Sequence, residues 1–170
     1  MITGLVHVAR GPEALAVTLS ALIPGVIDGL IGDAVVLARR ADPDIASVAE
    51  ATGATLVTVP PGDDPWKAGA AAARREWVLC LEDGDVLAEG WVRALDHFVS
   101  INAGDRGFGR LTRRPATLKS RALGLVESGF GARQVRAGDL VHRSLLRDGG
   151  LRATRPVRIA AVVVRDPAFR

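Results

Sequence analysis

Apolar residues in the first half of the chain fall into short unbroken runs. Between these runs lie segments whose apolar residues recur every three or four positions. Runs of this length suit buried strands, and the three-to-four spacing suits helices. Residues 2–9 (ITGLVHVA) predict a first strand with His7 inside it. Pro12 and Glu13 then suit a first helical turn, and Leu15, Leu19 and Leu22 carry the helix to about residue 23, where Pro24-Gly25 stops it. Residues 33–38 read as a second strand. A helix over 45–52 follows, with Asp42 or Asp44 as its cap and Gly53 at its end. Residues 54–59 make a third strand, 66–75 an Ala-rich helix, and 77–81 (WVLCL) a fourth strand that stops abruptly in Glu82-Asp83-Gly84-Asp85.

Four strand–helix alternations with short connections are the pattern of βαβ units. The expected fold is α/β: a mostly parallel, doubly wound, Rossmann-like sheet with helices on both faces. The second half is less regular. It predicts a helix over 87–100 with Trp91, Leu95 and Phe98 on its apolar face, then a short strand over 107–111. A helix over 115–126, a strand over 132–136, a helix over 140–147 and a last strand over 157–164 complete it. Neither a repeat nor a linker separates the halves, so a single domain over 1–170 is expected.

Composition changes the picture in three places. The 170 residues include no Tyr and few other aromatics, so the core must be aliphatic and Ala-rich. The single Cys, Cys80, excludes an internal disulfide and, inside an apolar strand, reads as a small buried hydrophobe. With no membrane-length apolar stretch and no signal-peptide pattern, a cytoplasmic location is expected. The net charge of +3 hides an asymmetry: residues 1–101 carry 7 Lys/Arg against 14 Asp/Glu, and residues 102–170 carry 15 against 5. Fourteen of those fifteen cations are Arg, a residue suited to bidentate phosphate contacts. The cations from Arg133 through Arg136, Arg143, Arg147, Arg152 and Arg155 to Arg158 either meet an anionic ligand or solvate an exposed face.

Candidate chemistry gathers at the end of the fourth strand. A buried parallel strand that finishes in carboxylates points them into the crevice where open α/β sheets bind ligands. Asp83 and Asp85, flanking Gly84, are hard oxygen donors of the kind Mg²⁺ or Mn²⁺ takes together with water and phosphate. A polar turn is the plain alternative. His7 reads as a hydrogen-bonded core residue. There is no G-x-G-x-x-G after the first strand, which disfavours a dehydrogenase-type dinucleotide site, and no P-loop, nucleophile elbow or metal-type Cys/His spacing.

Several segments resemble bacterial family 2 glycosyltransferases of the GT-A fold. Leu15-Ala16-Val17-Thr18-Leu19 resembles that family's first helix, and Val48 to Ala54 its "VAE-A-GA" segment. Lys67-Ala68-Gly69 through Trp77 resembles its "NAG-(A)n-R-G-E-W" stretch. Leu81 to Trp91 resembles its "D-x-D … P-G-W" region, and Gly138-Asp139-Leu140-Val141 with Arg143 and Gly149-Gly150 its acceptor-side segment. The resemblance implies a nucleotide-sugar donor lying across the ends of the first strands, with residues 1–101 binding the nucleotide and 102–170 forming the acceptor side. It implies Mn²⁺ or Mg²⁺ on Asp83 and Asp85, with Lys67 and Arg10 near the nucleotide, and transfer with inversion. The acceptor stays open, an anionic or membrane-surface acceptor suiting the basic half, and specific nucleic-acid recognition is not expected.

The chain also departs from that pattern. The family's second strand ends in an acidic pair, whereas this one ends Ala38-Arg39-Arg40. Counting from Trp77 without a gap places Glu82 and Gly84, rather than Asp83 and Asp85, on the two family aspartates, so Glu82 joins the candidate metal ligands. Downstream of Gly149-Gly150 no Glu-Asp pair appears before the last strand, so the residue acting as acceptor base is unknown, and Asp139 and Asp148 are the nearby carboxylates. The sequence therefore leaves open a compact glycosyltransferase, a catalytically degraded GT-A domain that binds a nucleotide or partner, and a nucleotidyltransferase-like enzyme on a related scaffold. Asp83 and Asp85 are expected to be solvent accessible and free of Arg partners.

Overall fold

The computed structural model describes residues 1–102, 107–114, 134–147 and 154–169. The first strand, β1 (Ile2–His7), leads through Gly11 into α1 (Pro12–Ala21), and a second short helix, α2 (Ile23–Ile27), follows. Pro24-Gly25 thus redirects the helix rather than ending it: a Pro in a first turn gives up no hydrogen bond. Strand β2 (Ile31–Ala38), helix α3 (Pro43–Ala51) and strand β3 (Thr55–Thr58) come next, then α4 (Pro65–Ala72) and β4 (Trp77–Glu82). The cap of α3 is Asp42, whose carboxylate accepts the N–H groups of Asp44 and Ile45.

β2, β1 and β4 lie side by side and parallel, with β3 beyond β2. The chain winds outward from β1 to β3 and returns through α4 to set β4 against the other edge of β1. The winding direction therefore reverses between β1 and β4, which makes their carboxyl ends the switch-point crevice. Alternation along β4 divides the core. Trp77, Leu79 and Leu81 pack with Trp91, Leu95 and Phe98, while Val78 and Cys80 pack with Trp66, Ala70, Leu145 and Leu146. Both faces of the sheet are covered by helices, as the apolar pattern predicts.

Beyond β4 the chain makes β5 (Asp85–Leu87), α5 (Trp91–Ile101), β6 (Phe108–Arg114), β7 (Asp139–His142), α6 (Arg143–Arg147) and β8 (Val157–Arg165), then a 3₁₀ turn, Pro167–Phe169. Among the described residues these strands complete one eight-stranded sheet, ordered β3-β2-β1-β4-β7-β6-β8-β5. Three expectations in this half need correction. The helix read over 87–100 begins only at Trp91, because residues 85–87 pair with β8 and Gly90 turns the chain at φ 84°. The helix read over 140–147 is half strand: Leu140 and Val141 pair antiparallel with Leu79 and Val78 of β4. Residues 134–136 are irregular rather than strand. The helix read over 115–126 lies outside the described residues. No described helix is long and apolar enough to cross a membrane.

Candidate functional site at the carboxyl ends of β1 and β4

His7 and Glu82 are register partners at the ends of β1 and β4, so the loop after β1 and the turn after β4 face each other. The turn pivots on Gly84, whose φ of 81° is readily adopted only without a Cβ. It directs Asp83 back toward the β1 loop. One Asp83 carboxylate oxygen, Oδ2, accepts the N–H groups of Ala9, Arg10 and Gly11, the first and last at 3.0 Å. The other, Oδ1, accepts from Arg10 Nη1 at 3.1 Å, and the same guanidinium reaches the Asp83 carbonyl. Three successive N–H groups around one oxygen form an anion nest, filled here by the chain's own carboxylate.

Asp85 turns the other way, into the sheet. It stands opposite Arg165 in the β5–β8 ladder. Its Oδ1 accepts from Arg113 Nη1 at 2.9 Å and from Arg165 Nη2 at 3.3 Å; its Oδ2 accepts from Arg113 Nη2 and from the Glu82 N–H. Burial pushes the Asp85 carboxyl above its ordinary pKa, and Arg113 opposes that shift. Glu82 shares Arg165, whose Nη2 lies 2.6 Å from Oε2, and its side chain is about one-third exposed, at 35 %. Phe169 packs over the turn at Gly84, and the Asp166 N–H donates to the Gly84 carbonyl.

The structure brings Arg10, Glu82, Asp83 and Asp85 together in one place and corrects their expected state. Asp83 and Asp85 are both fully buried and both paired with Arg. The reason is the sharp turn at Gly84 and the approach of β6 and β8, which bring basic residues of the second half against the acidic turn of the first. Sequence reasoning missed Arg113 and Arg165. For Arg165 the signal was a charged residue at the end of a largely apolar strand, which marks a partner without naming it, whereas the mixed strand FGRLTRR gives no such signal for Arg113. Lys67 lies exposed in the first turn of α4, next to buried Trp66. Among the described residues, no group of three or more His, Cys, Asp or Glu could hold a metal ion.

Other candidates are also committed. Asp139 is buried, accepts Arg110 Nε at 2.6 Å and Nη2 at 2.9 Å, and takes the Arg136 N–H. Burial raises its pKa. It is not placed to serve as an acceptor base, and Asp148 lies outside the described residues. Of the basic stretch, Arg143 donates to the Ala73 carbonyl and Arg158 to Thr112, so these two are not simply solvating a surface. Cys80 is buried as expected, and burial pushes its thiol up.

His7 differs from expectation in one atom. Its ring meets Trp66 edge-on at 6.0 Å, and its buried Nε2 has no hydrogen-bond partner. Burial and then Arg39 lower its pKa below 6.5. Below that value the unfolded chain gains a proton here that the folded chain refuses, so stability present above pH 6.5 is lost as pH falls through the folded pKa. Urea unfolding of His7→Gln at pH 7 and pH 5 should therefore show a smaller acid-induced loss than the parent. Equal losses would show that His7 does not carry the effect.

The doubly wound sheet, with its acidic turn at the switch point, is a GT-A-like glycosyltransferase fold. Solved structures similar to the chain include glucosyl-3-phosphoglycerate synthase from Mycobacterium tuberculosis with Mn²⁺ and UDP-glucose. That likeness has a TM-score of 0.65 at 16 % identity over 97 % of this chain and 70 % of the synthase. The same synthase with Mn²⁺, UDP and glucosyl-3-phosphoglycerate gives 0.63 at 15 % identity over 94 % and 70 %. S. aureus TarS 1–349 in complex with UDP-GlcNAc gives 0.57 at 10 % identity over 98 % of this chain and 56 % of TarS. No protein-family model and no curated protein sequence matches the chain.

Proposed function

We propose that the chain is a glycosyltransferase-like module of the family 2 type that binds the nucleoside diphosphate of a nucleotide-sugar donor at the carboxyl ends of β1 and β4. The observation that carries this reading is the convergence of Arg10 and the Glu82–Asp85 turn on the switch point, the place where this architecture binds ligands. In this reading Arg10 and Lys67 serve the nucleotide, residues 1–101 form the donor part and residues 102–170 the acceptor side. The buried thiol of Cys80 suits the cytoplasmic location that belongs to the same reading.

Similar solved structures contain Mn²⁺ or Mg²⁺ with UDP. A divalent cation in this chain would offset charge on the leaving diphosphate. Asp83 does not fit it, because both its oxygens serve the β1 loop and Arg10. Asp85 does not fit it either, because both its oxygens serve Arg113, Arg165 and the Glu82 N–H; Glu82, about one-third exposed, is the carboxylate of this turn that could take a cation together with phosphate and water. Sugar transfer is the first function. A binding module without turnover is the second, favoured by the locked state of Asp139.

Calorimetry with UDP, GDP, ADP and dTDP, with and without Mn²⁺, tests the reading. One diphosphate should bind, more tightly with Mn²⁺, and Lys67→Ala should weaken it about tenfold, the value of one charge-assisted phosphate contact. Absence of binding by all four would remove the reading.

A further inference from the structure

One oxygen of Glu82 stands between two guanidiniums. Arg165 Nη2 lies 2.6 Å from Glu82 Oε2, and Arg10 Nη1 lies 3.7 Å from the same atom. The two cations come from different elements, Arg10 from the loop after β1 and Arg165 from the end of β8. Like charges brought this close need an anion between them. Asp83 and Asp85 are fixed. Both are fully buried, Asp83 under three backbone N–H groups and Arg10, Asp85 in the Arg113 fork. Glu82 is the exchangeable member. Its side chain is 35 % exposed, so water can solvate it once it swings out, and its N–H stays bonded to Asp85 Oδ2. A partly exposed ion pair adds little stability, so its release costs little.

We propose that Arg10 and Arg165 form a phosphate clamp, and that the Glu82 carboxylate occupies it as an internal stand-in for the ligand. A phosphoryl group of a nucleoside diphosphate exchanges with Glu82 at this point. Each guanidinium meets Glu82 through one nitrogen of a five-donor group, a shape that suits the several oxygens of a phosphate better than one carboxylate oxygen. The charges favour the exchange. Glu82, Asp83 and Asp85 balance Arg10, Arg113 and Arg165. With Glu82 turned to water, one positive charge is left over in the cluster, and the phosphate answers it. Arg165 is thus a phosphate-binding residue, and Glu82 is a competitor that sets how tightly the phosphate is held. That the phosphate belongs to a nucleoside diphosphate rests on the donor-binding reading; the convergence of the two guanidiniums does not.

Calorimetry with inorganic pyrophosphate, and then with UDP, GDP, ADP and dTDP, tests it. The titrations are run in EDTA so that no divalent cation contributes, with thermal melts as the folding check. Glu82→Gln keeps the shape and removes the competing charge, so it should bind pyrophosphate about three- to tenfold more tightly than the parent. Arg165→Gln should weaken binding about tenfold. Arg165→Lys keeps the charge but not the fork and should fall between the parent and Arg165→Gln. A residue that merely braced the turn would lower affinity when replaced, so the rise in Glu82→Gln is the distinguishing sign. Equal, weaker or absent pyrophosphate binding by Glu82→Gln would overturn the proposal, as would parent-like binding by a folded Arg165→Gln. Should Arg165→Gln fail to fold, the Glu82→Gln titration decides alone. The expected pyrophosphate shifts, with none of the four nucleoside diphosphates bound, would keep the clamp and remove the donor-binding reading. Binding of one nucleoside diphosphate that neither variant alters would keep that reading and remove the clamp.

Discussion

Replacing Asp83 with Ala is expected to destabilise the fold by about 3–5 kcal/mol, the range for breaking a buried charge pair from one side. That is a large part of the stability of an ordinary domain. The carboxylate is fully buried and serves four donors at once: the N–H groups of Ala9, Arg10 and Gly11 and the Arg10 guanidinium. An Ala leaves three backbone donors and a cation without that partner. Asp83→Asn keeps one oxygen but turns an N–H₂ toward donors, so it should cost about 1–3 kcal/mol. Urea unfolding curves of the three proteins provide the measurement. From the sequence alone the opposite is expected, a variant that folds normally and loses only Mn²⁺-dependent nucleotide binding. An Asp83→Ala protein with the parent's midpoint and a selective loss of Mn²⁺ would restore that view and show that the nest is incidental.

The contrast shows where the sequence stops being informative. The strands β1 to β4 are legible because each is a short apolar run between turn residues, and the position of the acidic turn follows from them. The directions of Asp83 and Asp85 are not legible. They depend on a left-handed Gly84, which sends one carboxylate back to β1 and the other forward into β5. Their partners are equally hidden. Arg165 reaches Asp85 across 80 positions of sequence, and only the β5–β8 ladder brings the two together. The charge asymmetry between the halves was visible, yet part of it is answered inside the molecule: Arg113 and Arg165 of the basic half neutralise the acidic turn. The region 140–147 was misread for a simpler reason. Leu140, Val141, Leu145 and Leu146 sit at helical spacing, and the pairing of the first two with β4 overrides that period.

Sugar transfer by this chain is expected to run about a hundred- to ten-thousand-fold below that of a comparable enzyme with a positioned general base, the usual contribution of such a group. Glu82, Asp83, Asp85 and Asp139 are each engaged. Asp83 holds the β1 loop, Asp85 holds Arg113 and Arg165, Glu82 shares Arg165, and Asp139 is buried under Arg110. An acceptor hydroxyl must lose its proton as it attacks, and a carboxylate whose oxygens already accept guanidinium and backbone N–H groups is not free to take it. Donor binding uses other groups and should survive. The measurement is release of nucleoside diphosphate from a panel of nucleotide sugars, with phosphorylated and glycan acceptors, alongside direct titration of the diphosphate product. Binding without appreciable release is the expected pattern. Brisk, metal-dependent release would overturn it. Loss of that release in Asp148→Asn, with diphosphate binding intact, would then assign the base to Asp148.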